Sequence, residues 1–245
     1  MDKAKFFAGL RARDSGLFGT SLSQPQVEGT ERIVDEGQNR GMALRQLAYV
    51  LATAYHETGA KMQPVREVGG EKYLRSKPYY PWVGEGLVQV TWEANARKFG
   101  ATAPGQLMEW PIALRAIFDG MSKGMFTGKK LADYIAGDRV DYVGARRIVN
   151  GTDKASLIAG YAKAFEAALK AGGYGGQGAQ TAPTPQPAPP APVQPVPAAP
   201  EPAAPPASPA PPVAVPMPSA KPTSSTNWLA RLISIVLCIF RKKGN

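Results

Sequence analysis

The chain is short of the side chains on which most hydrolytic chemistries depend. Its 245 residues include one cysteine and one histidine. Cys238 lies in the C-terminal tail, so no disulfide framework braces the residues before it. His56 alone cannot supply the two or three His or Cys ligands of a catalytic zinc. With the cysteine remote from it, a Cys–His nucleophilic pair is excluded as well. These counts argue against zinc-dependent amidases and thiol peptidases, and no metal or cofactor is expected. The opening residues, Met1-Asp2-Lys3-Ala4-Lys5-Phe6-Phe7, lack the apolar core of a signal peptide, so synthesis in the cytoplasm and another route of export are expected. Nucleic-acid signatures are missing too: there is no Cys/His finger, no aromatic RNA-binding motif and no long basic helix. No nucleic-acid partner is expected.

Acidic residues are outnumbered, 19 Asp and Glu against 29 Lys and Arg, for a formal charge of +10. A basic surface suits anionic lipid or the acidic polymers of a bacterial envelope. The composition divides the chain into three parts. Residues 1–171 mix aromatic, aliphatic and charged side chains as a globular domain does. Residues 172–227 hold 18 of the 24 prolines and only two charged residues, Glu201 and Lys221. Such a stretch has almost nothing apolar to bury, and ordering it would not offset the lost chain entropy. It reads as a disordered, Pro/Ala-rich, semi-rigid linker. Residues 228–245 form a hydrophobic, basic tail.

Helical periodicity dominates the domain. Ser23 followed by Gln26 reads as a capping box that opens a helix running to Gln38. Leu44, Leu47, Ala48, Leu51, Ala54 and Tyr55 form one apolar stripe, with Gly59 placed to end that helix. Pro111 opens another, with Ile112, Ala116, Ile117 and Met121 inward. Asp141 to Val149 reads as a short helix. Thr152 or Asp153 caps a last one, striped by Leu157, Ile158, Tyr161, Phe165 and Leu169 and ending at Gly172–Gly173. The best strand signal is Gly86 to Trp92. Between Gly59 and Gly86 lies a long loop rich in Gly, Pro and Tyr, and long loops within compact domains are often functional. The expected fold is mainly α, a lysozyme-like domain with a buried central helix and little β structure.

With metal and thiol chemistry set aside, the carboxylates become the candidates. Glu57 falls in the last turn of the central helix, where the helix dipole and apolar neighbours both disfavour a second negative charge. Such surroundings suit a general acid that must hold its proton near neutrality. Spacing alone favours a solvated glutamate at a helix end.

Longer segments narrow the choice. Ala52-Thr53-Ala54-Tyr55-His56-Glu57-Thr58-Gly59, Met62-Gln63-Pro64-Val65-Arg66-Glu67 and Gly86-Leu87-Val88-Gln89-Val90-Thr91-Trp92 resemble, in that order, the family 19 glycoside hydrolases. These are chitinases and the related endolysins of phages and prophages, and the endolysin-like branch is the closer. Gly128-Lys129-Lys130-Leu131 and Gly144-Ala145-Arg146-Arg147-Ile148-Val149-Asn150-Gly151 extend the likeness over about residues 20 to 170.

The resemblance implies hydrolysis of β-1,4 bonds between amino sugars of peptidoglycan or chitin, with inversion of the anomeric centre. One carboxylic acid then protonates the leaving oxygen, while a second carboxylate about 6.5–9.5 Å away activates a water. It places the acid on Glu57 and the base on Glu67, with Glu71 the rival base beyond Gly69–Gly70. Thr91 matches a position whose hydroxyl helps hold the attacking water. Gln89, Asn95 and Asn150 match sugar-binding positions. Arg147 is a candidate partner for a catalytic carboxylate, or a surface cation. Tyr80 and Trp82, with Tyr79, are candidates to stack on sugar rings or to pack their own loop. His56 reads as a structural hydrogen-bonding residue. One departure stands out: the family has Gly-Arg-Gly where this chain has Gly84-Glu85-Gly86. Glu85 could perturb its neighbours, replace the base, or point away.

Two further readings remain open. A lytic transglycosylase would need one acid and no base. A non-catalytic envelope-binding module would keep the fold without turnover. The tail, Trp228 to Phe240 followed by Arg241-Lys242-Lys243, is shorter than the roughly 20 apolar residues of a spanning helix. It fits a short apolar helix lying at an anionic membrane surface. The expected partners are thus a wall polysaccharide and a membrane, and the expected state is a monomer.

Overall fold

The computed structural model describes residues 1–175. The expected linker from residue 176 onward and the expected tail helix lie outside the described residues. Within them the molecule is mainly helical.

Helix α3 (Leu44–Glu57) is the centre of the fold: Leu47 to Tyr55 is buried without a break. Two elements cover it. Helix α8 (Ala155–Ala171) is the main neighbour of α3, and the N-terminal helix α1 (Lys3–Arg11) lies on α8. Helices α2 (Gln24–Asn39) and α6 (Trp110–Lys123) close other faces. The shared core includes Phe6, Leu10, Ile33, Leu51, Ile117 and Phe165, all fully buried.

Local chemistry fixes the helix ends. At the start of α2, Gln26 Oε1 accepts the Ser23 backbone N–H at 2.8 Å, the reciprocal half of the expected capping box. The end of α3 is a Schellman turn. Gly59 sits at φ +58°, Ala60 N–H donates to Tyr55 C=O at 2.7 Å, and Gly59 N–H donates to His56 C=O at 3.2 Å. The same arrangement ends α8: Tyr174 N–H reaches Leu169 C=O at 2.9 Å beside Gly173. Tyr174 is buried, and its hydroxyl donates to Met42 C=O at 2.9 Å. Gly29 on α2 has a different task. A Cβ there would meet the Met62 carbonyl oxygen at 1.7 Å, so only glycine lets the chain leaving α3 lie against α2.

Several expectations are corrected. The N-terminal helix α1 was not signalled, yet Asp2 caps it through the Lys5 N–H. The cap of α8 is Lys154 at φ +57°, not Thr152 or Asp153, and Leu157 faces solvent. The segment expected as a short helix over 141–149 is a 3-10 turn at Gly144–Ile148. The strand expected over Gly86 to Trp92 does not form. Only Glu85–Gly86 (β2) is extended, paired antiparallel with Val65–Arg66 (β1) in the register Val65↔Gly86 and Arg66↔Glu85. After β2 the chain turns tightly, and Val90 bonds back to Glu85. The long loop before it carries helix α4 (Gly70–Arg75), and α5 (Glu93–Lys98) follows the turn. Leu74, Tyr79 and Val83 form a small separate core beneath that loop. Two short pieces complete the body: helix α7 (Leu131–Tyr134) and the hairpin β3–β4 (Ile135–Ala136, Arg139–Val140). Among the described residues no helix is long and apolar enough to cross a membrane.

Candidate active site

The C-terminal end of α3, the turn after β2, the start of α5 and the segment after the 3-10 turn converge on one cavity of about 140 Å³. Its polar lining is Glu57, Gln89, Thr91, Asn95, Thr127 and Asn150. Phe99, Phe126 and Val149 are among its apolar walls. Five of these residues, Glu57, Gln89, Thr91, Asn95 and Asn150, were singled out from sequence, although they come from well-separated segments. Glu57 is the only ionisable group in the lining.

Glu57 meets a cation in addition to the helix dipole and apolar neighbours expected around it. Arg146, fully buried on the 3-10 turn, donates from Nη1 to Glu57 Oε1 at 2.6 Å. Its Nε donates to Asp153 C=O at 3.1 Å, while Nη2 is buried without a partner among the described residues. The cation paired with the carboxylate is therefore Arg146 and not Arg147. Arg147 is exposed, and its carbonyl accepts the Thr127 hydroxyl at 2.6 Å. Among the described residues Glu57 Oε2 has no protein donor. Burial pushes the pKa of His56, next in the helix, below the ordinary imidazole value. It does not act as the expected hydrogen-bonding strut on the Nε2 side, which is buried without a partner among the described residues.

The turn from Leu87 to Trp92 presents its side chains through an unusual backbone. Gln89 and Trp92 both occupy the left-handed region, at φ +53° and +75°. Non-glycine residues hold such conformations only where the surroundings enforce them. Here the Gln89 side-chain amide donates to Val65 C=O at 2.8 Å, and Trp92 N–H donates to Trp82 C=O at 2.9 Å. The Asn95 amide donates to Thr91 C=O at 2.9 Å, which fixes α5 to the turn. The Thr91 hydroxyl donates to Gln89 C=O at 3.2 Å. Asn150 is held by the Gly151 N–H on its Oδ1 at 2.8 Å.

Glu67 does not line the cavity, but it reaches the same neighbourhood. A Cβ placed on Gly84 would lie 3.1 Å from Gln89 Oε1, 3.4 Å from Glu67 Oε2 and 3.4 Å from Thr91 Oγ1. The three oxygens thus crowd around one glycine. Glu67 is buried; Oε1 accepts the Tyr79 hydroxyl at 2.8 Å and Oε2 accepts the Gly84 N–H at 3.0 Å. Each carboxylate oxygen has a further lone pair available to a water. Tyr79 is committed to Glu67 and to its own small core, not to a sugar face.

The rival carboxylates face elsewhere. Glu71 is exposed on α4, bonded to the Tyr80 hydroxyl at 2.8 Å and paired with Arg66 and Arg75; the Tyr80 bond is the main cause of its lowered pKa. Glu85 is buried, accepts the Gly105 N–H at 3.0 Å, and has Arg66 Nε at 3.7 Å. Burial pushes its pKa up despite those contacts. Neither group lines the cavity. Tyr80 and Trp82 do not line it either: the Arg75 guanidinium lies over Tyr80, Arg97 lies over Trp82, and Trp82 leans on the main core. Sequence reasoning missed Arg146, Thr127 and the wall formed by Phe99 and Phe126. Among the described residues no group of three or more His, Cys, Asp or Glu could hold a metal ion.

No protein-family model, curated protein or solved structure matches the chain.

Proposed function

We propose that the protein is a glycoside hydrolase with a lysozyme-like fold that cuts β-1,4 bonds between amino sugars of peptidoglycan or chitin. One observation carries the reading: Glu57 is the sole ionisable group in a cavity whose other polar walls are Gln89, Thr91, Asn95, Thr127 and Asn150. That combination of one carboxyl group with hydroxyls, amides and an apolar wall suits a sugar ring and its glycosidic oxygen. Glu57 acts as the acid. Oε1 is turned to Arg146, so Oε2 is the oxygen that passes a proton to the leaving group. Glu67 acts as the base, holding a water through the lone pairs left free by Tyr79 and Gly84, with the Thr91 hydroxyl as the water's second anchor. Protonation on one face and attack on the other give inversion. The proline-rich linker and basic tail then tether the domain to an anionic membrane beside its substrate.

A second reading has its own support. Glu57 is the only carboxylate in the lining, and both oxygens of Glu67 already accept protein hydrogen bonds. A lytic transglycosylase needs no water-activating base, so this arrangement also suits one. Incubating the full-length protein with purified peptidoglycan and with N-acetylglucosamine polymer, followed by mass spectrometry, separates the cases. New reducing ends support hydrolysis, anhydro-sugar ends support the transglycosylase, and no turnover of either polymer overturns both in favour of a non-catalytic wall-binding module.

A further inference from the structure

We propose that Tyr79 is a positioning residue for the reaction: it seats the Glu67 carboxylate and joins it to the turn that carries Thr91. The inference rests on Glu67 acting as the base, and it names the side chain that holds that base in place. Glu67 Oε1 accepts the Tyr79 hydroxyl at 2.8 Å, and Oε2 accepts the Gly84 N–H at 3.0 Å. One donor on each oxygen means that the carboxylate cannot swing without breaking a bond. The Gly84 donor is main chain, and the Glu67 N–H returns a bond to Gly84 C=O at 2.6 Å. Oε2 therefore stays at Gly84, where Gln89 Oε1 and Thr91 Oγ1 also crowd. Tyr79 fixes the other oxygen.

Tyr79 is itself tied to the turn. Its ring meets the Trp92 ring edge-on, with 5.6 Å between centroids. Its carbonyl accepts the Trp82 N–H at 2.7 Å, and the Trp82 carbonyl accepts the Trp92 N–H at 2.9 Å. An aromatic contact and a main-chain relay thus run from the residue beside Thr91 to the residue on Glu67. With Leu74 and Val83 the Tyr79 ring fills a small core apart from the main one. Burial, and next the bond to Glu67, push the Tyr79 pKa up, so the phenol remains a donor at neutral pH. Tyr80 supplies the contrast. Its hydroxyl donates to Glu71 at the same 2.8 Å, but that bond is exposed and neither residue lines the cavity. Two successive tyrosines make the same bond to two glutamates, one proposed as the base and one turned away. Misplacing a group at the reacting centre by about 1 Å can cost about a hundredfold in rate, so only the Tyr79 bond bears on turnover.

The test is a set of substitutions in the full-length protein, with soluble peptidoglycan fragments and N-acetylglucosamine oligomers as substrates. Tyr79→Phe keeps the ring in its core and removes the hydroxyl. It should lower kcat roughly ten- to a hundredfold, the usual worth of a hydrogen bond to a charged group. KM should stay within about twofold, because the cavity wall is untouched. Tyr80→Phe should change neither constant. In a Glu67→Gln background, Tyr79→Phe should lower the residual kcat by less than about twofold, since no base remains to be seated. Wild-type kcat from Tyr79→Phe, an equal loss in both backgrounds, or an equal loss from Tyr80→Phe overturns the proposal. Urea unfolding of Tyr79→Phe, Glu67→Ala and the double variant reads the bond without turnover: the two losses should fail to add, and additivity also overturns it. A wild type that turns over while Glu67→Gln loses nothing places the fault in the base assignment, and the proposal falls with it. Failure of the hydrolase reading looks different: the wild type cleaves neither substrate, and the proposal falls even if the unfolding losses fail to add.

Discussion

Replacing Arg146 with methionine removes the cation bonded to Glu57 while keeping much of the side chain's length. The two side chains are 1% and 7% exposed and meet at 2.6 Å. The substitution strands a carboxylate next to the core, and removing one member of a buried pair typically costs about 3–5 kcal/mol. The Arg146 Nε bond to the Asp153 carbonyl is lost as well, which loosens the turn that leads into α8. For a domain of this size, each kcal/mol lowers Tm by about 2–4 °C, so a fall of roughly 6–20 °C is expected. Glu57→Gln should be much milder, under about 2 kcal/mol, because the glutamine oxygen can still accept from Nη1. In the double variant the stranded charge is gone, so the two losses should fail to add by about 1–3 kcal/mol. Thermal and urea unfolding of the four proteins at neutral pH measures the cycle. A loss below about 1 kcal/mol for Arg146→Met, or additivity within about 0.5 kcal/mol, would refute the buried strut.

Glu57→Gln should abolish wall lysis while keeping a cooperative unfolding transition; wild-type rates from the folded variant would remove the acid assignment. Glu67→Gln should reduce turnover by about 10²–10⁴-fold, the usual share of general-base catalysis, whereas Glu71→Gln and Glu85→Gln should retain most of it; full activity of Glu67→Gln with anhydro-sugar products favours the single-acid reading. Glu85 has its own pH signature. Burial raises its pKa in the folded state above the ordinary carboxylate value of 4.5, so its contribution is complete below about pH 4.5 and is lost as pH rises through the folded value. Glu85→Gln, which keeps an acceptor for the Gly105 N–H, should therefore match the wild type near pH 4 and melt higher near pH 7; a lower Tm at pH 7 contradicts this. Truncation after residue 175 should preserve activity on soluble fragments and move the protein from the membrane pellet to the supernatant; a truncated protein that still pellets with membranes defeats the tether.

The helices legible in the sequence were those whose ends and faces are local properties. The α3 stripe and Gly59, Ser23 with Gln26, Pro111, and Gly173 after α8 all act over a single turn. The misses share a different origin. Val88, Val90 and Thr91 look like strand residues because they are β-branched and buried, but their burial comes from packing at a cavity wall. The backbone reverses at Gln89 and Trp92 in conformations that no propensity favours, held there by Val65 and Trp82 from the preceding loop. Helix α1 was hidden because Phe6, Phe7 and Leu10 are too few to mark a period until α8 supplies the facing surface. Leu157 errs the other way: its spacing puts it in register with the α8 stripe, yet it faces solvent while Ile158, Phe165 and Leu169 are buried.

Arg146 shows why residues that meet at one cavity can be named from sequence while their electrostatics cannot. Glu57, Gln89, Thr91, Asn95 and Asn150 could be named from the resemblance of short segments. Between Arg146 and Arg147, however, the sequence offers two equivalent cations. The choice is made by a 3-10 turn that buries one and exposes the other, and by the Asp153 carbonyl that holds the buried guanidinium against the end of α3. The surroundings of the proposed acid thus depend on a contact between residues 89 positions apart. A helix dipole and an apolar stripe describe the helix end and leave out the partner that meets it.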